Sequence, residues 1–324
     1  MMRYLYWIPL LVIVILPGCA YIKVPVYPSL QPFEERVLGG TGEKKILLLD
    51  ISGVISEKKE STQLGLTQKT SLIDRLKEEL QKAEGDSAIV GVIIRINSPG
   101  GSVSATDIIH HELMTFKEER NVRIVACLTG VATSGAYYIA SAADEIIAHP
   151  TAITGGIGVI AMKFTIEKLL AKIGIEKETI KSVDKKDLWS PFRPSTPEEK
   201  RIMQRIIDTF HERFVHAVYE GRRPQLTREE IERLADGRIF TADQALAARL
   251  VDRVGYVDDA IEAMKASLRL QDAKVITYHR PGTYKGTIYS GLPEASPREI
   301  NLIAINTSEL DPFAGIRFMY LWRP

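Results

Sequence analysis

The chain has 324 residues, 45% hydrophobic and 26% charged, with 42 Lys and Arg against 41 Asp and Glu. That balance excludes the overall basic field by which a protein tracks a nucleic-acid backbone, and the length allows one large domain or two small ones, each with a core. Two cysteines, Cys19 and Cys127, are too few for a disulfide framework, and Cys127 sits in an apolar run as a small core residue would.

Met1 to Gly18 has the form of a targeting segment: Arg3, then 13 apolar residues from Tyr4 to Leu16, short of the roughly 20 that a membrane span requires. Its end, Leu16-Pro17-Gly18-Cys19, resembles the lipobox of bacterial lipoproteins, in which the signal is cut before the cysteine and Cys19 would carry lipid. Pro17 departs from that pattern, and the alternative is an uncleaved anchor reaching to about Ile22. Either reading leaves the remainder outside the cytoplasm, on the outer face of a bacterial membrane and tethered to it. Residues 19–43, with Pro25, Pro28, Pro32, Gly39, Gly40 and Gly42, follow neither period and read as a linker.

The predicted folded body covers 44–265. Lys45 to Ser56 opens it as a strand, and 57–69 read as a polar surface excursion. Leu72, Ile73, Leu76 and Leu80 line one helix face behind a Ser71 cap. Val90 to Ile96 is a buried strand, followed by Asn97-Ser98-Pro99-Gly100-Gly101-Ser102-Val103 and a helix over about Ala105 to Glu119. Val122 to Leu128 is a second buried strand, and a helical pattern begins at Ser134. Asp144 to Ala148 and Ile153 to Met162 read as further strands. This alternation predicts an α/β protein with a largely parallel sheet flanked by helices. Glu198 to Arg222 is a long helix between Pro197 and Pro224, and Leu226 to Val257 reads as two short helices and a turn. Residues 266–324 read as a partly extended C-terminal extension.

Ser134 stands where a strand turns sharply into a helix, at the sheet edge where α/β proteins build their sites. It can be a nucleophile or simply the helix cap. Two glycine-bearing loops, at Pro99-Gly100-Gly101 and Thr133-Ser134-Gly135, follow strands at corresponding places. The amides of Gly101 and Gly135 are candidates to hold a developing oxyanion. Neither loop has the phosphate-binding P-loop pattern. Serine also requires a base. His149 is close in sequence, and Lys181, Lys185 and Lys186 lie in Ile180-Lys181-Ser182-Val183-Asp184-Lys185-Lys186-Asp187, where a lysine serves as base only if desolvated or beside positive charge.

Taken together, Arg95 to Val103, Thr133 to Ala140, Ile153 to Ile160, Lys186-Asp187, Asp236 to Thr241 and Leu250-Val251-Asp252 with Gly255 resemble the signal peptide peptidase A family in its short, single-repeat form. Those proteins are Ser–Lys peptidases of the ClpP/crotonase-like fold. The resemblance implies Ser134 as nucleophile and Lys186, 52 residues on, as general base, with Lys185 its rival. It implies Gly101 and Gly135 as oxyanion-hole positions, no cofactor and no metal. It also implies a ring-like homo-oligomer in which neighbouring protomers share each site, with hydrophobic peptides such as signal-peptide remnants as substrates. An extended substrate would lie along Ser102, Val103 and Ser104 on one side and Ile157, Gly158, Val159 and Ile160 on the other.

Three positions depart from the family pattern. Ala136 replaces a second glycine after the nucleophile, Val183 and Asp184 stand where a glycine is common, and Gly156 replaces the serine that orients the lysine. The loss of that serine favours a rival reading, a catalytically weak peptide-binding scaffold, with Thr154 as a possible substitute. A crotonase-like acyl-CoA enzyme is a third reading, disfavoured by the export signal.

Overall fold

The computed structural model describes residues 31–57, 70–281, 288 and 318–322. Cys19 and the whole of the segment 1–18 lie outside the described residues, and so does most of the polar excursion. Among the described residues no helix is long and apolar enough to cross a membrane.

In chain order the elements are β1 (Glu34–Gly39), β2 (Lys45–Ser52), α1 (Leu72–Glu84), β3 (Ile89–Ser98), β4 (Gly100–Ser102), α2 (Val103–Arg120), β5 (Arg123–Thr133), α3 (Gly135–Ala140), β6 (Glu145–Ala148), β7 (Ile153–Gly155) and β8 (Ile160–Ala161). There follow α4 (Glu167–Lys172), a single 3-10 turn over Asp184–Asp187, α5 (Pro197–Arg222), α6 (Arg228–Leu234), β9 (Ile239–Thr241), α7 (Ala242–Ala247), β10 (Arg253–Val254), α8 (Val257–Ser267), β11 (Lys274–His279) and β12 (Phe318–Leu321).

The main sheet runs β1-β11-β2-β3-β5-β6-β10, parallel from β11 to β10, with β1 antiparallel on one edge. Successive residues of its central strands serve opposite faces, as the pleat requires. Leu47, Leu49 and Ile51, Val92, Ile94 and Ile96, and Ile124, Ala126 and Leu128 enter the large core under α1, α2, α3 and α5. Ile46, Leu48, Ile93, Val125 and Cys127 face the other way, against Val257, Ala260, Ile261 and Met264 of α8. Both faces are covered, which explains why these strands read as unbroken apolar runs. Burial pushes the Cys127 thiol up to about 12, as befits an unreactive core residue.

The helices start where their capping residues stand. The Ser71 hydroxyl accepts the Asp74 N–H at 3.1 Å, and Thr196 and Glu199 cap α5 reciprocally. The Ser102 hydroxyl accepts from the Ala105 N–H at 3.2 Å and so begins α2 two residues earlier than predicted.

Strand β5 positions the site. Val125 to Leu128 pair with β6, whereas Val131 to Thr133 pair with β7, so the strand changes partner at Thr129-Gly130. The register against β3 slips at the same place, between Ile96 and Ser98. The Asn97 side chain fills the gap and accepts the Val131 N–H at 3.2 Å. A Cβ on Gly130 would lie 2.7 Å from the Asn97 Oδ1, so a side chain there would push the Asn97 amide aside. Beyond this break, Ser134 leaves the sheet edge.

The sheet extends beyond 44–265. Glu34–Gly39, expected to be linker, pairs with Lys274–His279 of the predicted extension. Phe318–Leu321 forms a separate three-stranded sheet between β4 and β8. Ile153 to Met162, expected to be one strand, breaks into β7 and β8 because Gly155 and Gly156 take φ of +84° and +63°.

Candidate active site

Ser134 is buried and has φ +57° and ψ −120°, a conformation in which an L-residue is strained. Its N–H donates to the Gly155 carbonyl at 2.7 Å, and its carbonyl accepts the first helical amide of α3, from Tyr138, at 3.0 Å. The side chain makes no capping hydrogen bond. The cap reading therefore fails on geometry: the residue occupies the cap position without using its hydroxyl there. A strained serine on a tight strand-to-helix turn is the arrangement by which a fold presents a nucleophile.

Gly101 and Gly135 lie side by side. A Cβ on Gly135 would stand 3.3 Å from the Gly101 nitrogen and 2.6 Å from the Thr106 Oγ1, and one on Gly100, at φ +97°, would stand 2.8 Å from the Gly135 nitrogen. Both amides border one narrow space beside Ser134, and the Tyr320 carbonyl reaches it only because these residues lack side chains: a Cβ on Gly100 would stand 2.0 Å from that oxygen. Strand β4 is fixed from behind by Ile55, whose N–H donates to the Gly100 carbonyl at 2.9 Å and whose carbonyl accepts the Ser102 N–H at 2.8 Å.

The residues expected to form the substrate edges are spread over several elements. The strands beside the site are Gly100–Ser102 and Ile160–Ala161, so Ser102 and Ile160 lie on them. Val103 and Ser104 belong to the first turn of α2, and Ile157 is fully buried in the core. Gly158 and Val159 lie in the connection to β8. The Ser102 hydroxyl, besides capping α2, donates to the Glu57 carboxylate at 2.8 Å.

His149 is engaged elsewhere: its Nδ1 is 2.9 Å from the Thr151 hydroxyl, and its ring meets Tyr256 edge-on. The lysine run folds as an exposed turn stiffened by ion pairs. Lys181 bridges to Asp187 at 2.9 Å and Lys185 to Glu198 at 2.6 Å, which raises the Lys185 pKa. Arg193 grips both Asp187 and Glu199, and this bonding holds the Glu199 carboxyl down at about 2. Lys186 alone among these cations has no hydrogen-bond or ion-pair partner among the described residues, and Ser134 and Lys186 are not in contact there.

The Thr154 hydroxyl donates to the Ala132 carbonyl at 2.7 Å and is fully buried, so it does not take the place of the absent serine. A Cβ on Gly156 would lie 3.3 Å from the Ser134 nitrogen. Gly156→Ser is expected to raise kcat by about tenfold at most, since one restored hydrogen bond is worth about 0.5–1.5 kcal/mol. It is also expected to lower Tm, because the left-handed φ of +63° disfavours a side chain by about 1 kcal/mol. Peptide hydrolysis and thermal melts measured side by side check both.

Sequence reasoning missed the aromatic and ionic support behind Ser134. The Tyr138 hydroxyl donates to Asp107 at 2.7 Å, Arg213 of α5 bonds both oxygens of that carboxylate at 2.8 Å, and the Tyr137 hydroxyl donates to the Leu250 carbonyl at 2.7 Å. Only the adjacent tyrosines after Ser134 hinted at this.

The peptidase family S49 model matches residues 117–271, and the Clp protease model matches residues 50–154. A protein of Enterococcus faecium named as signal peptide peptidase SppA is 34% identical over 257 residues, 79% of this chain and 73% of that one. A protein of Methanocaldococcus jannaschii named as a protease is 29% identical over 301 residues, covering 90% of this chain and 92% of its own. The chloroplastic serine protease SPPA of Arabidopsis thaliana is 31% identical over 277 residues, 83% of this chain and 40% of that one.

Proposed function

The chain belongs to peptidase family S49 and is a serine peptidase of ClpP-like α/β fold, and from that premise we propose a membrane-tethered endopeptidase that cuts hydrophobic peptides, such as signal-peptide remnants, with a Ser134–Lys186 dyad. One observation carries the reading: Ser134 holds a strained φ of +57° without using its hydroxyl as a cap, beside the amides of Gly101 and Gly135. In the mechanism, Lys186 takes the Ser134 proton as Oγ attacks the peptide carbonyl, and the two amides receive the oxyanion. Lys186 then returns the proton to the leaving amine, and water cleaves the acyl-enzyme. The tether would be Cys19 or the apolar segment before it.

The sites are shared between protomers. The lysine turn is bonded to Glu198 and Glu199 at the start of α5, whereas Tyr138 behind Ser134 packs on Phe214, fifteen residues further along. Fifteen helical residues span roughly 22 Å, beyond the reach of a lysine side chain. Between β8 and that turn, Met162, Phe164, Leu169, Ile173, Ile175, Ile180 and Val183 are exposed. So large an apolar display fits contact with a neighbouring copy, which would also take Lys186 out of water.

The test is hydrolysis of a hydrophobic fluorogenic peptide by the full chain. Lys186→Ala is expected to lose activity at least about 10³-fold while Lys185→Ala keeps it. Mixing inactive Ser134→Ala and Lys186→Ala proteins is expected to restore turnover, because some mixed interfaces carry both groups. Turnover surviving Lys186→Ala would sink the dyad, and mixtures that stay inactive would sink the shared site.

A further inference from the structure

Lys186 stands in the 3-10 turn Asp184–Asp187, none of whose residues is buried. A turn without apolar packing is fixed only by the polar bonds that reach it. Lys181–Asp187 joins it to residues just before it, so the two can still move together. Lys185–Glu198 reaches α5, but these side chains are 46% and 62% exposed, where an ion pair contributes little. Arg193 makes a different kind of link.

The Arg193 guanidinium bridges two carboxylates. Its Nε and Nη2 donate to the two oxygens of Asp187 at 2.8 and 2.9 Å, and Nη2 also reaches the Asp187 carbonyl at 3.2 Å. Its Nη1 donates to Glu199 Oε2 at 2.9 Å, and Nη2 donates to Glu199 Oε1. Glu199 is buried in the first turn of the 26-residue helix α5, where it exchanges capping bonds with Thr196. The loop carrying Arg193 is itself held. The Lys163 ammonium donates to the Arg193 carbonyl at 2.9 Å and to the Ser195 hydroxyl at 2.7 Å, and it lies over the Trp189 ring. A planar fork bonded to two carboxylates at once fixes direction as well as distance, which a flexible ammonium does not. Through Arg193, the residue next to Lys186 is fastened to the buried start of a long helix.

We propose that Arg193 is a positioning residue for the base: by locking Asp187 to Glu199 it holds Lys186 at one place and heading relative to α5. The proposal rests on Lys186 being the base of a site shared between protomers. A base displaced by about 1 Å loses on the order of 10²-fold in rate. The elements that bind peptide and hold the oxyanion are separate from this turn, so the defect falls on kcat, and only on the protomer that supplies the lysine.

The test is steady-state hydrolysis of the hydrophobic fluorogenic peptide by full-chain Arg193→Ala, Arg193→Lys and Glu199→Gln, with a thermal melt of each. Glutamine at 199 keeps the capping bonds with Thr196 and removes the charge that Arg193 grips, so it tests the clamp with the start of α5 intact. The expected result is kcat lowered about 100-fold in Arg193→Ala and about tenfold in the other two, with KM within about twofold of the parent. Arg193→Ala is also mixed with Ser134→Ala and, separately, with Lys186→Ala. Turnover is expected to recover only in the first mixture, where an intact Ser134 can meet an intact lysine turn. Parental kcat in folded Arg193→Ala and Glu199→Gln, a loss confined to KM, or recovery with Lys186→Ala overturns the proposal and leaves the dyad standing. Turnover by Lys186→Ala alone sinks the dyad and the proposal with it.

Discussion

Ser134→Ala is expected to lower peptide hydrolysis by about 10⁴-fold or more while leaving the unfolding free energy within about 0.5 kcal/mol of the parent. The two halves of this result separate the roles a serine can play at this turn. A capping serine replaced by alanine costs about 1 kcal/mol of stability and nothing in chemistry. Ser134 has no capping hydrogen bond to lose, so its removal takes away only the nucleophile. Alanine inherits the same φ of +57°, and the strain remains. Ser134→Gly removes both nucleophile and strain, and is expected to be equally inactive yet more stable by about 1 kcal/mol. Hydrolysis assays with urea titrations of the three proteins check the ordering. An alanine variant that melts early but retains turnover would return Ser134 to the role of a cap.

Gly101→Ala has the second largest expected effect. A Cβ there would stand 1.8 Å from the Ile55 carbonyl oxygen and 2.6 Å from the Ile55 Cα, backbone atoms that have no rotamer to change. Ile55 is held on both sides by its bonds to Gly100 and Ser102, so relief comes only by pushing β4 into the cleft. The Gly101 N–H then no longer points at the developing oxyanion. Loss of one such donor costs about 2.7–4 kcal/mol of transition-state stabilisation, so kcat is expected to fall about 10²–10³-fold with a lowered Tm. Gly85→Ala is the control, because its nearest contact would be 3.6 Å away at the exposed end of α1, and its activity is expected to match the parent. Full activity in folded Gly101→Ala protein would remove that amide from the mechanism.

Much of this site was legible in the sequence because its signals are local. Buried parallel strands show as runs such as Val90 to Ile96, caps show as Ser71 and Thr196, and Ser134 is flagged by the strand before it and the small residues around it. What escaped the reading depends on partners remote in the chain. Glu34–Gly39 is a strand only because Lys274–His279 lies beside it, and as an edge strand it is largely exposed and has no apolar alternation. Thr154 lies in the right loop, yet its hydroxyl is committed to Ala132, which only the register of β5 and β7 determines. Val103 and Ser104, expected to lie in a loop, are helical behind the Ser102 cap, because a serine before an apolar pattern serves a loop and a helix start equally well.

The order of synthesis gives β12 one more consequence. It is the central strand of its sheet, yet it is translated after every other described element. Until it arrives, β4 and β8 each lack their ladder partner, and the Tyr138 and Phe214 rings lack the ring that covers them. The newborn protein thus passes through a stage with its peptide-pairing edges bare, in a crowd of other unfinished chains.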